Sequence, residues 1–341
     1  MLNFIQTTMS PAGYHGPRAD YHPQLPFFEG WYFKLVDAQE STRLAVIPGV
    51  FHARDHRENH AFIQVLDGAS GLVSYHQYPI GEFQAAKSGF DLRIGPNHFT
   101  QSGITLDIDD SQRTLRGEIQ FHDPVPSPWP VTPFSPGIMG WYAWMPFMEC
   151  YHGVVSFNHG LDGDLDLGGQ ICNLTGGRGY IEKDWGRSFP SAWIWTQTNH
   201  FKHANTCLTA SIAIIPWLGT FFPGFIVGLW HNNQLYRFAT YTGAHTRVLD
   251  ISTDQVRWEV TNRSYTLEMI ASRAQGGLLI APTPSGMDRR IAETLDARVS
   301  VRLSQRNSRG SQILFEDEGR NAGLEAAGDL DRLRRMLFHG S

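Results

Sequence analysis

GYIEKDWGRSFPSAWIWTQTNHF, residues 179 to 201, is the stretch on which the reading of this chain turns. Its aromatic and β-branched residues on either side of a Gly/Ser/Pro cluster predict a strand, a turn and a second strand. Successive side chains of a strand alternate between faces. Tyr180, Glu182 and Asp184 therefore share one face of the first strand, and Trp193, Trp195, Gln197 and Asn199 share one face of the second. Acids and aromatics are thus set out for convergence on one cavity.

The same strand rhythm extends in both directions. FEGWYFKLV, RLAVIPGVF, HAFIQVL, LVSYHQYPI, FDLRI, GITLDI and LRGEIQF are short and rich in β-branched or aromatic residues, with turn clusters between them. A Pro-rich stretch, Asp123 to Gly137, interrupts the series and reads as a connector over the surface or a cavity mouth, because proline cannot join a central strand. Strands resume at YHGVVSF and LGGQICNL. The second half then echoes the first: AWIWTQTNHF with LTASIAII follows FEGWYFKLV with RLAVIPGVF, and FIVGLWHNNQLYRFATYTG follows FIQVLDGASGLVSYHQYPIG. The expectation is an all-β chain of two barrel-like units from an internal duplication, residues 1–175 and 176–341. At the end, LEAAGDLDRLRRMLF spaces Leu324, Leu330, Leu333 and Leu337 as in an amphipathic helix, with its acids early and its arginines late.

Composition narrows the functional classes. A chain of 341 residues with 41% hydrophobic and 18% charged residues is long enough to bury a sizeable core. A net charge of -5 without a Lys/Arg block offers no electrostatic footprint for nucleic acid. Cys150, Cys172 and Cys207 are odd in number and lack metal-ligand spacing, so free thiols are expected. The first residues show no basic start followed by an apolar stretch, and a cytoplasmic location is the working expectation. The longest uncharged run, Ala204 to Leu229, is divided by Pro216, Gly219, Pro223 and Gly224 into strand-length pieces, leaving peripheral membrane contact by an apolar loop as an open alternative. No phosphate-binding loop, dinucleotide fingerprint, nucleophile elbow or HExxH motif is present, and the histidines of HARDHRENH carry no pattern specific to a metal. Neither a cofactor nor a metal is therefore expected.

The chemistry sits with acids among aromatics. A carboxyl group in an apolar cavity loses the hydration of its charged form and holds its proton, and a second carboxylate nearby strengthens that tendency. An indole face stabilises a cation where water is excluded. Glu182 with Asp184, in the company of Trp185, Trp193 and Trp195, is thus suited to protonating an alkene, with Gln197 and Asn199 placed to orient a hydroxyl or quinol oxygen. Glu29 and Trp31 in FFEGWYFK, and Glu149 and Tyr151 in MECYHGVV, are further site candidates. His152 faces away from Glu149 and Tyr151 and reads as a structural histidine. Lys183 or Arg187 are the ordinary partners for the acid pair.

FFEGWYFK at 27 to 34, GYIEKDWGRSFPSAWIWTQTNHF at 179 to 201 and LLIAPTPSGM at 278 to 287 together resemble the tocopherol cyclase family, related to the hydroxyneurosporene synthase and AttH-like proteins. The resemblance implies a lipocalin-like double β-barrel. It also implies cofactor-independent closure of a chromanol ring, in which an alkene of a prenylated quinol is protonated and the phenolic oxygen captures the cation. Plant cyclases read EKNWG where this chain reads EKDWG, so Glu182 matches the family's acid and Asp184 departs from its Asn, as Arg187 and Ser188 depart from glycines. Hydration of an isoprenoid or carotenoid at the same site, and non-catalytic carriage of a hydrophobic ligand, are the competing readings.

Overall fold

The computed structural model describes residues 12–17, 23–86, 89–129, 131–132, 135–146, 148–307 and 310–338. The first eleven residues, on which the reading of the N-terminus rests, lie outside them. The described chain is almost entirely antiparallel β, with one short C-terminal helix, and divides into two compact units: residues 1–189 with 277–290, and residues 190–276 with 291–341. The strand Arg178–Gly186, beyond the expected boundary at 175, belongs to the first unit.

The two units repeat one topology. In the first, Phe27–Val36, Arg43–His52, His60–Asp67 and Val73–Pro79 form a meander. Arg178–Gly186 returns to the open edge of Phe27–Val36, and Cys150–Asp166, Thr114–Pro126 and Gly103–Asp109 follow in that order. In the second, the meander is Ala192–Thr198, Cys207–Trp217, Thr220–His231 and Gln234–Ala239. Its returning strand is Gly310–Gly328, followed by Met287–Asn307, Tyr265–Ser272 and Gln255–Thr261. The order expected from the weak sequence echo is kept through both four-stranded meanders.

Each barrel-like sheet curls around its own core. Phe33, Leu35, Val46, Phe99, Ile119, Leu161 and Ile181 are buried together in the first unit. Ile194, Leu208, Ile212, Val227, Trp258, Val299 and Leu324 are buried together in the second. Packing of this kind is the dominant stabilising term, about 25 cal/mol for each Å² of apolar surface withdrawn from water.

Three local expectations need correction. The Pro-rich stretch is not wholly a connector: Val125 and Pro126 end a strand and pair with Asn158 and Ser156 across register shifts, where an irregular edge tolerates the missing proline N–H. Leu324 belongs to the long strand Gly310–Gly328, and the helix spans only Leu330–Phe338, with the Asp329 side chain accepting from the Arg332 N–H at 2.9 Å. The uncharged run breaks at Leu218 and Gly219, while Pro223 and Gly224 continue inside the strand Thr220–His231. No helix among the described residues is long and apolar enough to cross a membrane.

Gly186 ends the strand that carries Glu182 and Asp184. Its φ is +149°, and a Cβ there would lie 2.3 Å from the Glu149 carbonyl oxygen. Gly186→Ala should therefore lower unfolding stability by about 2 kcal/mol or more, whereas Gly81→Ala, which meets nothing within 4 Å, should stay within about 0.5 kcal/mol of the parent in urea titrations.

Candidate active site

The strand Arg178–Gly186 runs between Phe27–Val36 and Cys150–Asp166, and the antiparallel register fixes what each of its faces meets. Glu29 lies opposite Trp185, Trp31 opposite Lys183 and Phe33 opposite Ile181, so these side chains share the face turned to the first unit's core. His152 lies opposite Asp184 and Val154 opposite Glu182, on the other face.

On that other face the expected alternation holds, since Tyr180, Glu182 and Asp184 stand on one side. The Tyr180 hydroxyl donates to Glu182 Oε2 at 2.6 Å. His152 is placed between the two carboxylates, with Nδ1 3.0 Å from Asp184 Oδ1 and Nε2 3.8 Å from Glu182 Oε2. Glu182 is buried, while the Asp184 side chain keeps about a quarter of its surface exposed. Burial opposes protonation of His152, but the Asp184 and Glu182 charges outweigh it and raise the imidazole to about 9, so it is a cation at neutral pH. The Cys150 thiol beside Asp184 is pushed well up, by burial first and then by the carboxylate charge, and is inert as a nucleophile.

The core-facing side carries a second, separate charge system. Lys183 is fully buried and its ammonium has three acceptors: Glu29 Oε1 at 2.5 Å, His15 Nδ1 at 2.6 Å and the Gly13 carbonyl. It lies 4.9 Å from the ring centre of Trp31 and 4.7 Å from that of Trp185. The His15 backbone N–H bridges both Glu29 oxygens at 2.9 and 3.0 Å, and the His15 ring stacks on Trp185 at 4.3 Å. Burial drives Lys183 down to about 8 against the pull of Glu29. For Glu29, burial favours the neutral acid, but Lys183 and His15 prevail and hold it below the usual carboxylate range.

The sequence-derived candidates thus divide into three sets. Tyr180, Glu182 and Asp184 come together with His152. Glu29, Trp31, Trp185 and Tyr151 lie on the opposite face of the same strands; Tyr151 stacks on Trp185 at 5.5 Å. Lys183, read as an ordinary partner for the acid pair, points away from it. Glu149 stands just outside the strand, where burial raises its carboxyl and Arg187 partly offsets the effect. Trp193, Trp195, Gln197 and Asn199 are buried on Ala192–Thr198 and the residue after it in the second unit, on the face away from the Ile194 side of that unit's core. Trp193 Nε1 donates to Glu325 Oε2 at 2.6 Å. His152, which joins the Glu182–Asp184 cluster, is the residue that the sequence reading set aside. Its one sequence signal was position, because alternation separates it from Tyr151, but pairing with Asp184 depends on which strands are neighbours.

The ligand atoms of His152, Glu182 and Asp184 lie within 4.8 Å of one another, a set that a divalent cation can bridge. With no ion between them the same two carboxylates hold the imidazole protonated, and a metal would bind by displacing that proton.

Residues 124–328 match the tocopherol cyclase-like family model, which takes in most of the chain and both strands of the opening motif. The chain belongs to the tocopherol cyclase-like family. Over 203 residues it is 27% identical to a chloroplastic tocopherol cyclase of Zea mays, a match covering 55% of this chain and 41% of that protein. It therefore aligns with less than half the length of that curated relative. Among solved structures, CghA with Sch210972 superposes with a TM-score of 0.54 at 12% identity, covering 94% of this chain and 96% of the other. Kievitone hydratase from Nectria haematococca superposes with a TM-score of 0.51 at 11% identity, covering 95% and 92%. At these identities the two likenesses establish the shared fold.

Two outcomes test the charge systems. His152 is raised on folding from 6.5 to about 9, so its contribution is complete below pH 6.5 and is lost as pH rises through about 9. The stability difference between the parent and His152→Gln should shrink across that window in denaturant titrations. Lys183→Met leaves Glu29 buried without its counter-charge and should cost about 3–5 kcal/mol, while Glu29→Gln added to Lys183→Met should recover much of the loss, as measured by chemical unfolding.

Proposed function

We propose that this chain is a cofactor-independent acid catalyst that protonates an alkene of a prenylated quinol and closes the ring to a chromanol, with Glu182 as the proton donor. The observation that carries this reading is the buried Glu182 between the Tyr180 hydroxyl and the His152–Asp184 pair, in a member of a family whose curated relatives are cyclases.

Tyr180 and His152 both approach Oε2 of Glu182. In this reading Glu182 reacts as its neutral acid. In the first step the alkene π pair takes the acid proton at its less substituted carbon, leaving a tertiary carbocation and a Glu182 carboxylate. The phenolic oxygen then forms the C–O bond through a lone pair, and its proton returns to the carboxylate. Atoms balance as an isomerisation, with neither oxidant nor water consumed. His152 and Asp184 hold a fixed pair of opposite charges beside the carboxylate, so its charge changes in an environment that needs little rearrangement. Positioned general acids contribute about 10² to 10⁴-fold in rate.

The test is turnover of a prenylated quinol in heavy-oxygen water, followed by mass analysis. The expected product has the mass of the substrate and contains no solvent oxygen. Glu182→Gln should reduce kcat by about 10²-fold or more with binding of the quinol nearly unchanged. Retained turnover in that variant rules out Glu182 as the donor. A product heavier by one water, carrying solvent oxygen, reassigns the site to a hydratase, and binding without conversion reassigns the chain to a carrier.

A further inference from the structure

The hairpin formed by Cys207–Trp217 and Thr220–His231 ends in WLGTFF, residues 217–222, with Trp217 paired to Thr220 across the turn. Leu218 is 79% exposed and Phe221 41% exposed. Trp217 and Phe222 are half-buried and meet edge to face at 5.9 Å.

Folding does not call for these residues. Leu218 has φ +46°, a left-handed conformation that is costly for a branched side chain and cheap for Asn or Gly. The next hairpin of the same sheet turns through Asn232 and Asn233 at φ +51° and +59°, which is the ordinary polar solution. At the Trp217–Phe222 tip the chain instead keeps a leucine in strained backbone and surrounds it with aromatics in contact with water.

Electrostatics indicate the occupant. No Asp or Glu occurs between Asp184 and Asp250, although the whole chain carries a net charge of -5. Beside the hairpin lies the helix Leu330–Phe338, held to the core through fully buried Leu333. The Arg332 guanidinium sits 4.7 Å from the centre of the Phe221 ring, Arg334 and Arg335 are exposed, and Phe338 is 43% exposed. The helix acid Asp331 is confined to the first turn. Apolar and aromatic side chains bordered by arginines match the boundary between acyl chains and anionic headgroups.

We infer that the 217–222 hairpin tip, with Arg332, Arg334 and Arg335, docks this protein onto an anionic lipid surface. Leu218 and Phe221 enter the acyl region, Trp217 rests at headgroup level and the arginines meet lipid phosphates. The inference stands on the hairpin and the helix and is independent of the reaction assigned above.

Co-sedimentation of the full chain with vesicles tests it, using phosphatidylcholine alone and phosphatidylcholine mixed with phosphatidylglycerol. The parent should pellet with the mixed vesicles and bind more weakly as salt is added. Leu218→Asp combined with Phe221→Asp should weaken binding by roughly tenfold or more. Arg334→Gln combined with Arg335→Gln should remove the preference for phosphatidylglycerol. All four positions are exposed, and unchanged circular dichroism and thermal melting would show that the variants fold. A parent that stays in the supernatant with both vesicle types overturns the inference, as does equal binding by the Asp variant. A parent dimer that the Asp variant converts to monomer in sedimentation also overturns it, and assigns the tip to a second copy of the chain.

Discussion

A charged strand buried on both faces is the constraint around which the first unit is arranged. Lys183 points into an aromatic core, and Glu182 and Asp184 point the opposite way from the adjacent positions. A buried charge is tolerated only with a counter-charge and satisfied hydrogen bonds. Glu29 supplies the first from Phe27–Val36, and His152 supplies the second from Cys150–Asp166. The strand is thereby tied to both of its neighbours by ion pairs as well as by backbone bonds. A register slip of one residue would turn Lys183 toward His152 and drive Glu182 and Asp184 to the face that holds Trp31 and Glu29. The geometry of the Glu182 cluster and the strand order are enforced together.

The strands were legible because a period of two is written in the residues themselves, and the two meanders were legible because the order of their patterns repeats roughly 160 positions on. The faces of Tyr180, Glu182 and Asp184, and of Trp193, Trp195, Gln197 and Asn199, followed from the same alternation. Adjacency of strands did not. His152 is separated from Asp184 by 32 positions, and Lys183 from Gly13 by 170, so no local pattern announces either contact. The same blindness grouped Trp31 and Trp185 with the acids, when one residue of offset puts them on the other face. Leu324 was drawn into the helix because leucine spacing at a strand end imitates a helical stripe, and the Asp329 cap that fixes the true start is a single side chain.

Asp184 gives the local chemistry its character. In the family pattern that this chain resembles, an amide stands there, and an amide places no negative charge on the neighbouring imidazole. Here the carboxylate contributes to holding His152 charged at neutral pH. The cluster therefore carries a cation pinned between two acids, where the family pattern implies one acid beside an amide. Such a pair gives Glu182 an adjacent fixed positive charge in its ionised state, the state left behind when a proton has gone to the substrate.

In the proposed reaction, whether cyclisation or hydration follows protonation depends on a competition that the acid does not control. Once the tertiary cation exists, the nearest lone pair wins, and a phenolic oxygen tethered to the same molecule has a large advantage in effective concentration over solvent that must diffuse in. That advantage lasts only while water is kept from the cation. Glu182 is buried, but Asp184 keeps contact with solvent, so the proton source sits at a graded boundary between dry and wet surroundings. A substrate long enough to cover Asp184 as it reaches Glu182 excludes water by its own bulk. A shorter one leaves the boundary open. Under the proposed function the outcome is set by the fit between substrate length and this edge of the site, with the same proton-delivering group in both reactions.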